Sequence, residues 1–120
     1  MFGIYNDVKK HYGKTISFVE HNSDHICFNF TDKSRAYFEV YGDCCSQTWI
    51  EHVEIPPDVV GATLLEVNVS APVEQQPYDK DRFECLQFYR TIIRTTAGDV
   101  DVEYRNSSNG YYGGSLDLRD

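Results

Sequence analysis

The sequence predicts an α+β domain, mainly an antiparallel β-sheet of about seven strands with one helix near residues 44–54 packed on it. Three observations point there. Apolar residues alternate with polar ones over most of the chain, the period of half-buried strands. Aromatic residues make up 14%, with nine tyrosines and seven phenylalanines, and such side chains suit a pleated, half-buried surface. Around Cys45 the alternation gives way to a four-residue spacing, through Trp49 to Val53, which is the period of a helix. With 120 residues and 41% hydrophobic content, the chain can fill one core, so residues 1–120 form a single domain. A small barrel or sandwich with a helical insertion is the close alternative.

Residues 1–12 are a polar-rich lead-in, with a helical turn placing Ile4 and Val8 on one side. A three-stranded meander follows. Thr15–Glu20 sets Ile16 and Phe18 on one face; His25–Phe30 sets Ile26, Phe28 and Phe30 against Cys27 and Asn29; Arg35–Tyr41 turns Ala36, Phe38 and Val40 inward. His21-Asn22-Ser23-Asp24 and Thr31-Asp32-Lys33-Ser34 are turns of residues that bond their own backbone. Gly42 breaks the pattern. Asp43 or Ser46 is the candidate N-cap of the predicted helix, and Pro56-Pro57 ends it, because a residue before proline is pushed out of the helical region. Asp58–Gly61 turns the chain into the strand Thr63–Ala71, with Leu65, Val67 and Val69 inward. Residues 72–82 hold two prolines and several charges and form a flexible loop. In Phe83–Thr96 the inward set passes from Leu86 and Phe88 to Ile92 or Ile93, which predicts a bulge near Arg90. Val100–Asn106 and the short Ser115–Leu118 complete the sheet.

The formal net charge is −8, from 19 acidic and 11 basic residues. That disfavours direct binding to duplex nucleic acid, which needs a basic stripe to release counterions. It allows a protein partner with a basic groove, for instance one that otherwise holds nucleic acid. The blander reading is that the charge keeps the protein soluble. No stretch approaches the ~20 apolar residues of a membrane span, and residues 1–10 hold no apolar run for a signal peptide. A cytoplasmic location is expected, with Cys27, Cys44, Cys45 and Cys85 as reduced thiols.

Two segments do not read as scaffold. In Gly42-Asp43-Cys44-Cys45-Ser46, followed by Trp49-Ile50, a helix start would favour an anion or lower a cysteine pKa. Against a thiol-dependent enzyme at Cys44 or Cys45 stands the commoner role of cysteine as packing. In Arg105-Asn106-Ser107-Ser108-Asn109-Gly110-Tyr111-Tyr112-Gly113-Gly114, turn glycines bracket two tyrosines. Such a loop suits a ligand cradle, with Arg105 for a phosphate and Tyr111 or Tyr112 for a base, or an irregular loop packed over a sheet edge. The candidate binding residues are therefore Asp43, Cys44, Ser46, Trp49, Arg105, Asn106, Ser108, Asn109, Tyr111 and Tyr112. No catalytic motif is present, and the carboxylates lie outward on strands or in loops, so no enzyme is expected. No metal or other cofactor is expected either: the nearest ligand pairs, Cys44-Cys45 and His21…His25, lack zinc-site spacing.

On these two motifs, over about Gly13 to Leu118, the chain resembles a family of small uncharacterised proteins of bacteriophages and prophages, a domain of unknown function. The resemblance implies a phage accessory protein acting inside a bacterial cell, and no mechanism. Two functions fit. One is a binding protein that inhibits a bacterial defence or nucleic-acid-handling complex through an acidic, tyrosine-rich surface. The other is a small-nucleotide binder that sequesters a defence signal with the 105–114 loop and the 43–46 helix start. A homodimer through a strand edge or the tyrosine-rich loop is compatible with either. Both depend on residues 42–50 and 105–114 being neighbours in space.

Overall fold

A computed structural model describes residues 8–42, 46–69, 74–75, 85–108 and 114–119, with the backbone alone at 69, 74–75, 85 and 108. Among them a 3₁₀ turn, Lys9–His11, is followed by nine strands: β1 (Ile16–His21), β2 (His25–Phe30), β3 (Arg35–Gly42), β4 (Gln47–Glu54), β5 (Leu64–Val69), β6 (Glu74–Gln75), β7 (Cys85–Thr95), β8 (Gly98–Ser108) and β9 (Gly114–Leu118). All pairings are antiparallel. One sheet runs β1-β2-β3-β9, the other β4-β8-β7-β5, and the two-residue β6 pairs with β7 at 87–88, next to where β5 pairs at 91–95. The fold is therefore nearly all β, and the expectation of an α+β domain is overturned.

The predicted helix near 44–54 is strand β4, and a bulge explains the misreading. Ile50 pairs with Tyr104 and His52 with Glu103, so the register slips at Glu51. Ile50 and Val53 consequently face the same core, although they are three residues apart. Three is also a helical spacing. The local residue types were the better guide: Thr48, Trp49, Ile50 and Val53 are β-branched or aromatic and favour strands.

Two further bulges displace expected core residues. β1 slips between Ile16 and Phe18, so Val19 packs on the core and Phe18 is 49% exposed. β5 slips between Leu64 and Glu66, so Leu64 is buried in place of Leu65, which is 48% exposed. The bulge expected at Arg90 is absent. β7 pairs with β8 without a break from Cys85↔Ser108 to Thr95↔Gly98. Its inward residues are Tyr89, Thr91, Ile93 and Thr95, while Leu86, Phe88 and Ile92 lie half-buried on the opposite face. Gly98 closes this hairpin at φ +124°, a geometry that L side chains rarely adopt.

One core joins the two sheets. It takes Ile16, Ile26, Phe28, Phe30, Ala36 and Phe38 from the first, and Ile50, Leu64, Val67, Ile93, Val100, Val102 and Tyr104 from the second. The lead-in contributes Val8. At one corner the chain before β1 pairs with the chain before β5, through Thr15↔Thr63 and the bonds Gly13 N–H to Leu64 O and Ile16 N–H to Ala62 O, each 2.8 Å. This all-β arrangement of two facing sheets lies nearer to the sandwich alternative, without its helical insertion.

The turns expected to bond their own backbone do so. Asn22 Oδ1 accepts from the amides of Asp24 (2.8 Å) and His25 (3.0 Å). In the β2–β3 turn Lys33 takes φ 72°, and Asp32 Oδ1 accepts from the Ser34 amide at 2.9 Å and from its hydroxyl. Lys14 Nζ lies 3.2 Å from Asp32 Oδ2. The Ser34 hydroxyl and amide, then Lys14, lower the Asp32 pKa to about 2. Because the folded value lies below the unfolded one, the stabilisation is present above the ordinary carboxylate pKa and is lost as pH falls through about 2. Ser34→Ala is expected to move the Asp32 carboxyl signal, followed by NMR against pH, back toward 3.8. An unmoved midpoint would refute the assignment to Ser34.

Candidate functional site

The two unusual segments meet where the sheets join. Gly42, the last residue of β3, pairs with Gly114, the first of β9. β4 lies beside β8, with Gln47 opposite Ser107, Thr48 opposite Asn106 and Trp49 opposite Arg105. Of the predicted site residues, Ser46, Trp49, Arg105 and Asn106 are thus brought into one region, and the backbone of Ser108 ends β8 beside Cys85. Asp43, Cys44, Asn109, Tyr111 and Tyr112 lie outside the described residues, as does Cys45. Two details of the prediction are corrected. Ser46 leads into strand β4 rather than into a helix, so the helix-terminus site for an anion or thiolate, which needed a helix over 44–54, has no basis. Residues 105–108 belong to a strand rather than a loop, so Arg105 and Asn106 point to opposite faces.

Asn106 faces inward and is fully buried. A buried amide must find partners, and it has them on both sides. Thr48 Oγ1 donates to Asn106 Oδ1 at 2.7 Å, and Asn106 Nδ2 donates to Gln87 Oε1 at 3.2 Å. The Tyr89 hydroxyl donates to the same Gln87 oxygen at 3.0 Å, and the Gly114 amide donates to Tyr89 Oη at 3.4 Å. This chain of bonds runs across β4, β8 and β7 and crosses to β9 of the other sheet. Tyr89 stacks on Tyr104 beside it, with centroids 5.0 Å apart and planes at 8°.

Both glycines are required for this approach. A Cβ on Gly114 would fall 2.5 Å from Thr48 Oγ1, 2.9 Å from its Cγ2 and 3.1 Å from Asn106 Oδ1. One on Gly42 would fall 2.8 Å from both Ser46 Oγ and Thr48 Oγ1. Gly114→Ala is expected to cost about 1–3 kcal/mol by overpacking. Combining it with Thr48→Ala should recover at least ~0.5 kcal/mol relative to additivity. Strict additivity in urea unfolding would show that the threonine is not what the methyl meets.

The outer face of the same strands carries different chemistry. Trp49, Arg105 and Phe88 form a row across β4, β8 and β7, since Arg105 is the register partner of both aromatic residues. The Arg105 guanidinium lies 4.4 Å from the Phe88 ring centroid, within cation–π range. Trp49 Nε1 donates to Glu51 Oε1 at 3.2 Å. Farther along this face Arg90 binds Asp101 through Nε at 2.9 and 3.0 Å and also through Nη2. That carboxylate raises the Arg90 pKa. The pair borders an open depression of about 330 Å³ beside Pro56-Pro57, whose remaining charged walls are Glu54 and Asp99.

Phe88, read from sequence as core, and the partners Thr48, Gln87 and Tyr89 were not singled out beforehand. Gly42 and Gly114, at the outer ends of the two motifs, were the available signal. Among the described residues, no group of three or more histidine, cysteine or acidic side chains is placed to hold a metal, and no helix is long and apolar enough to cross a membrane. Cys27 is buried on β2.

The model of a domain of unknown function, DUF7448, matches residues 9–118. The chain belongs to the DUF7448 family. Both motifs fall within the matched span. The uncharacterized protein L278 of Acanthamoeba polyphaga mimivirus is 28% identical over 101 residues, covering 82% of this chain and 79% of that protein. This relative is viral, and its name assigns no activity. No solved structure matches the DUF7448 chain.

Proposed function

We propose that the chain is a phage-encoded accessory binding protein that inhibits a bacterial defence or nucleic-acid-handling complex by docking on a basic surface. The observation that carries this reading is the outer face of the β4-β8-β7-β5 sheet. Among the described residues that face and its rim carry six carboxylates, Glu51, Glu54, Glu66, Asp99, Asp101 and Glu103, against three guanidinium groups, Arg90, Arg94 and Arg105. Trp49 and Phe88 supply aromatic surface within it. Aromatic anchors in a charged surround are the composition of a protein interface, with complementary charge steering encounter and fixing register. The mimivirus relative supports a viral setting, and the resemblance to phage proteins supports a bacterial host. The nucleotide-binding alternative loses one of its two supports with the helix start at 43–46.

Capture from bacterial lysate tests this. The immobilised chain is expected to retain a nucleic-acid-binding protein at low salt, to release it as salt rises, and to lose it to competing duplex DNA. The triple variant Glu51→Lys, Glu54→Lys, Asp99→Lys should abolish retention. Retention indifferent to salt and to these changes would overturn the proposal, as would a partner with no nucleic-acid function.

A further inference from the structure

We propose that Arg105, held over the Phe88 ring and paired in register with Trp49, is the anchor for a single carboxylate presented by the protein partner. This rests on the reading of the chain as a binding protein and locates the centre of its contact. Arg105 stands out among the cations of the second sheet. Arg90 is paired with Asp101 and Arg94 with Glu66 at 3.6 Å. Arg105 is half-buried and makes no ion pair among the described residues. Among the described residues its side chain makes one hydrogen bond, a 3.5 Å contact from Nη1 to the neighbouring Tyr104 carbonyl, at the limit of the range. In a chain of net charge −8, a half-buried guanidinium with no carboxylate on it among the described residues is unusual.

The surroundings hold that guanidinium ready for one. The Phe88 ring, with its centroid 4.4 Å from the guanidinium carbon, gives the charged end a partner, and pairing within the β7-β8-β4 ladder fixes the backbone that carries it. Both reduce the entropy lost on binding. A guanidinium with no carboxylate on it among the described residues can offer two N–H groups to a planar, two-oxygen acceptor. Tryptophan and arginine are the residue types that dominate binding energy at protein interfaces. The charge of the ligand follows from the neighbours. Glu51 is hydrogen-bonded to the indole of Trp49, and Glu103 stands on the same face of β8 two residues away. Their field opposes a phosphate dianion more strongly than one carboxylate. Lysine or arginine beside that carboxylate would meet Glu51 and Glu103, so the fitting segment is basic with one acidic side chain. Such a segment agrees with a partner whose surface is otherwise positive.

Trp49 is the sole tryptophan of the chain, so its indole N–H gives one identifiable NMR signal. The probe is a capped five-residue peptide with a central glutamate, glycine on either side and a lysine at each end; its control carries glutamine at the centre. On titration into the ¹⁵N-labelled chain, the Trp49 indole and Arg105 Nε–H signals are expected to move together and saturate with the glutamate peptide. The glutamine peptide should bind at least about tenfold more weakly, the factor lost with one charge-assisted pair. Arg105→Gln should remove the response, Arg105→Lys should retain a weakened one, and Arg35→Gln should leave it intact; the remaining spectrum reports that each variant is folded. Equal responses to both peptides, or none, would overturn the anchor. Tighter binding by adenosine monophosphate at the same signals would overturn the carboxylate assignment in favour of a phosphate. The broader function is judged separately: partner capture that survives Arg105→Gln and Trp49→Ala removes the anchor and leaves the binding role standing. A peptide response without any captured partner does the reverse.

Discussion

Tyr104→Ala is expected to destabilise the protein by about 3–5 kcal/mol, the usual cost of deleting a buried aromatic ring. Tyr104 is 1% exposed and lies on the central strand β8, with Ile50 opposite on β4 and Tyr89 opposite on β7. Its ring stacks on Tyr89, so alanine removes a packing partner from both neighbouring strands at once. The surrounding strands cannot close over the space, because the unbroken β7–β8 ladder holds their spacing. For a domain of this size the loss corresponds to a fall in Tm of roughly 10–20 °C. Urea unfolding should show a lower midpoint with an unchanged slope. Tyr104→Phe keeps the ring and is expected to lose only about 1 kcal/mol. A loss below about 1 kcal/mol for the alanine variant would mean that the two sheets do not share the core assigned to them.

The parts of this fold that could be read from sequence are those with unbroken alternation. Ile26, Phe28 and Phe30 on β2, and Ala36, Phe38 and Val40 on β3, face the core as their period requires. The turns at Asn22 and Asp32 follow from side chains that bond nearby amides. Where a bulge intervenes the reading fails, since one extra residue moves every later side chain to the other face. Phe18, Leu65 and the residues from Glu51 onward all follow such slips. β7 fails for another reason. Its outer face carries Leu86, Phe88 and Ile92 and its inner face Thr91 and Thr95, so hydrophobicity alone pointed to the wrong side. Strand pairing was not legible at all. That Arg105 lies between Trp49 and Phe88, and Asn106 between Thr48 and Gln87, follows from register, which a single sequence does not display.

Asn106→Asp is expected to cost about 3–5 kcal/mol at neutral pH, the scale for leaving a charge buried and unpaired. The change adds no bulk and isolates the direction of the hydrogen bonds. Asn106 accepts from Thr48 and donates to Gln87, and the Gln87 oxygen also accepts from Tyr89. A carboxylate has nothing to donate, so it would face the Gln87 oxygen. Turning the Gln87 amide over to donate would leave the Tyr89 hydroxyl, which already accepts from the Gly114 amide, without its acceptor. Burial raises the pKa of the new carboxyl above its unfolded value, so the native state binds the proton more tightly. The variant should therefore recover relative to the parent as pH falls from about 7 to about 5, because the protonated acid can donate as the amide did. That sign is opposite to the one expected at Asp32. Asn106→Leu, which cannot titrate, should show a loss independent of pH over the same range. A small loss at neutral pH with no recovery in acid would mean that water reaches Asn106. In that case the network would not hold β8 in the register that places Arg105 between Trp49 and Phe88.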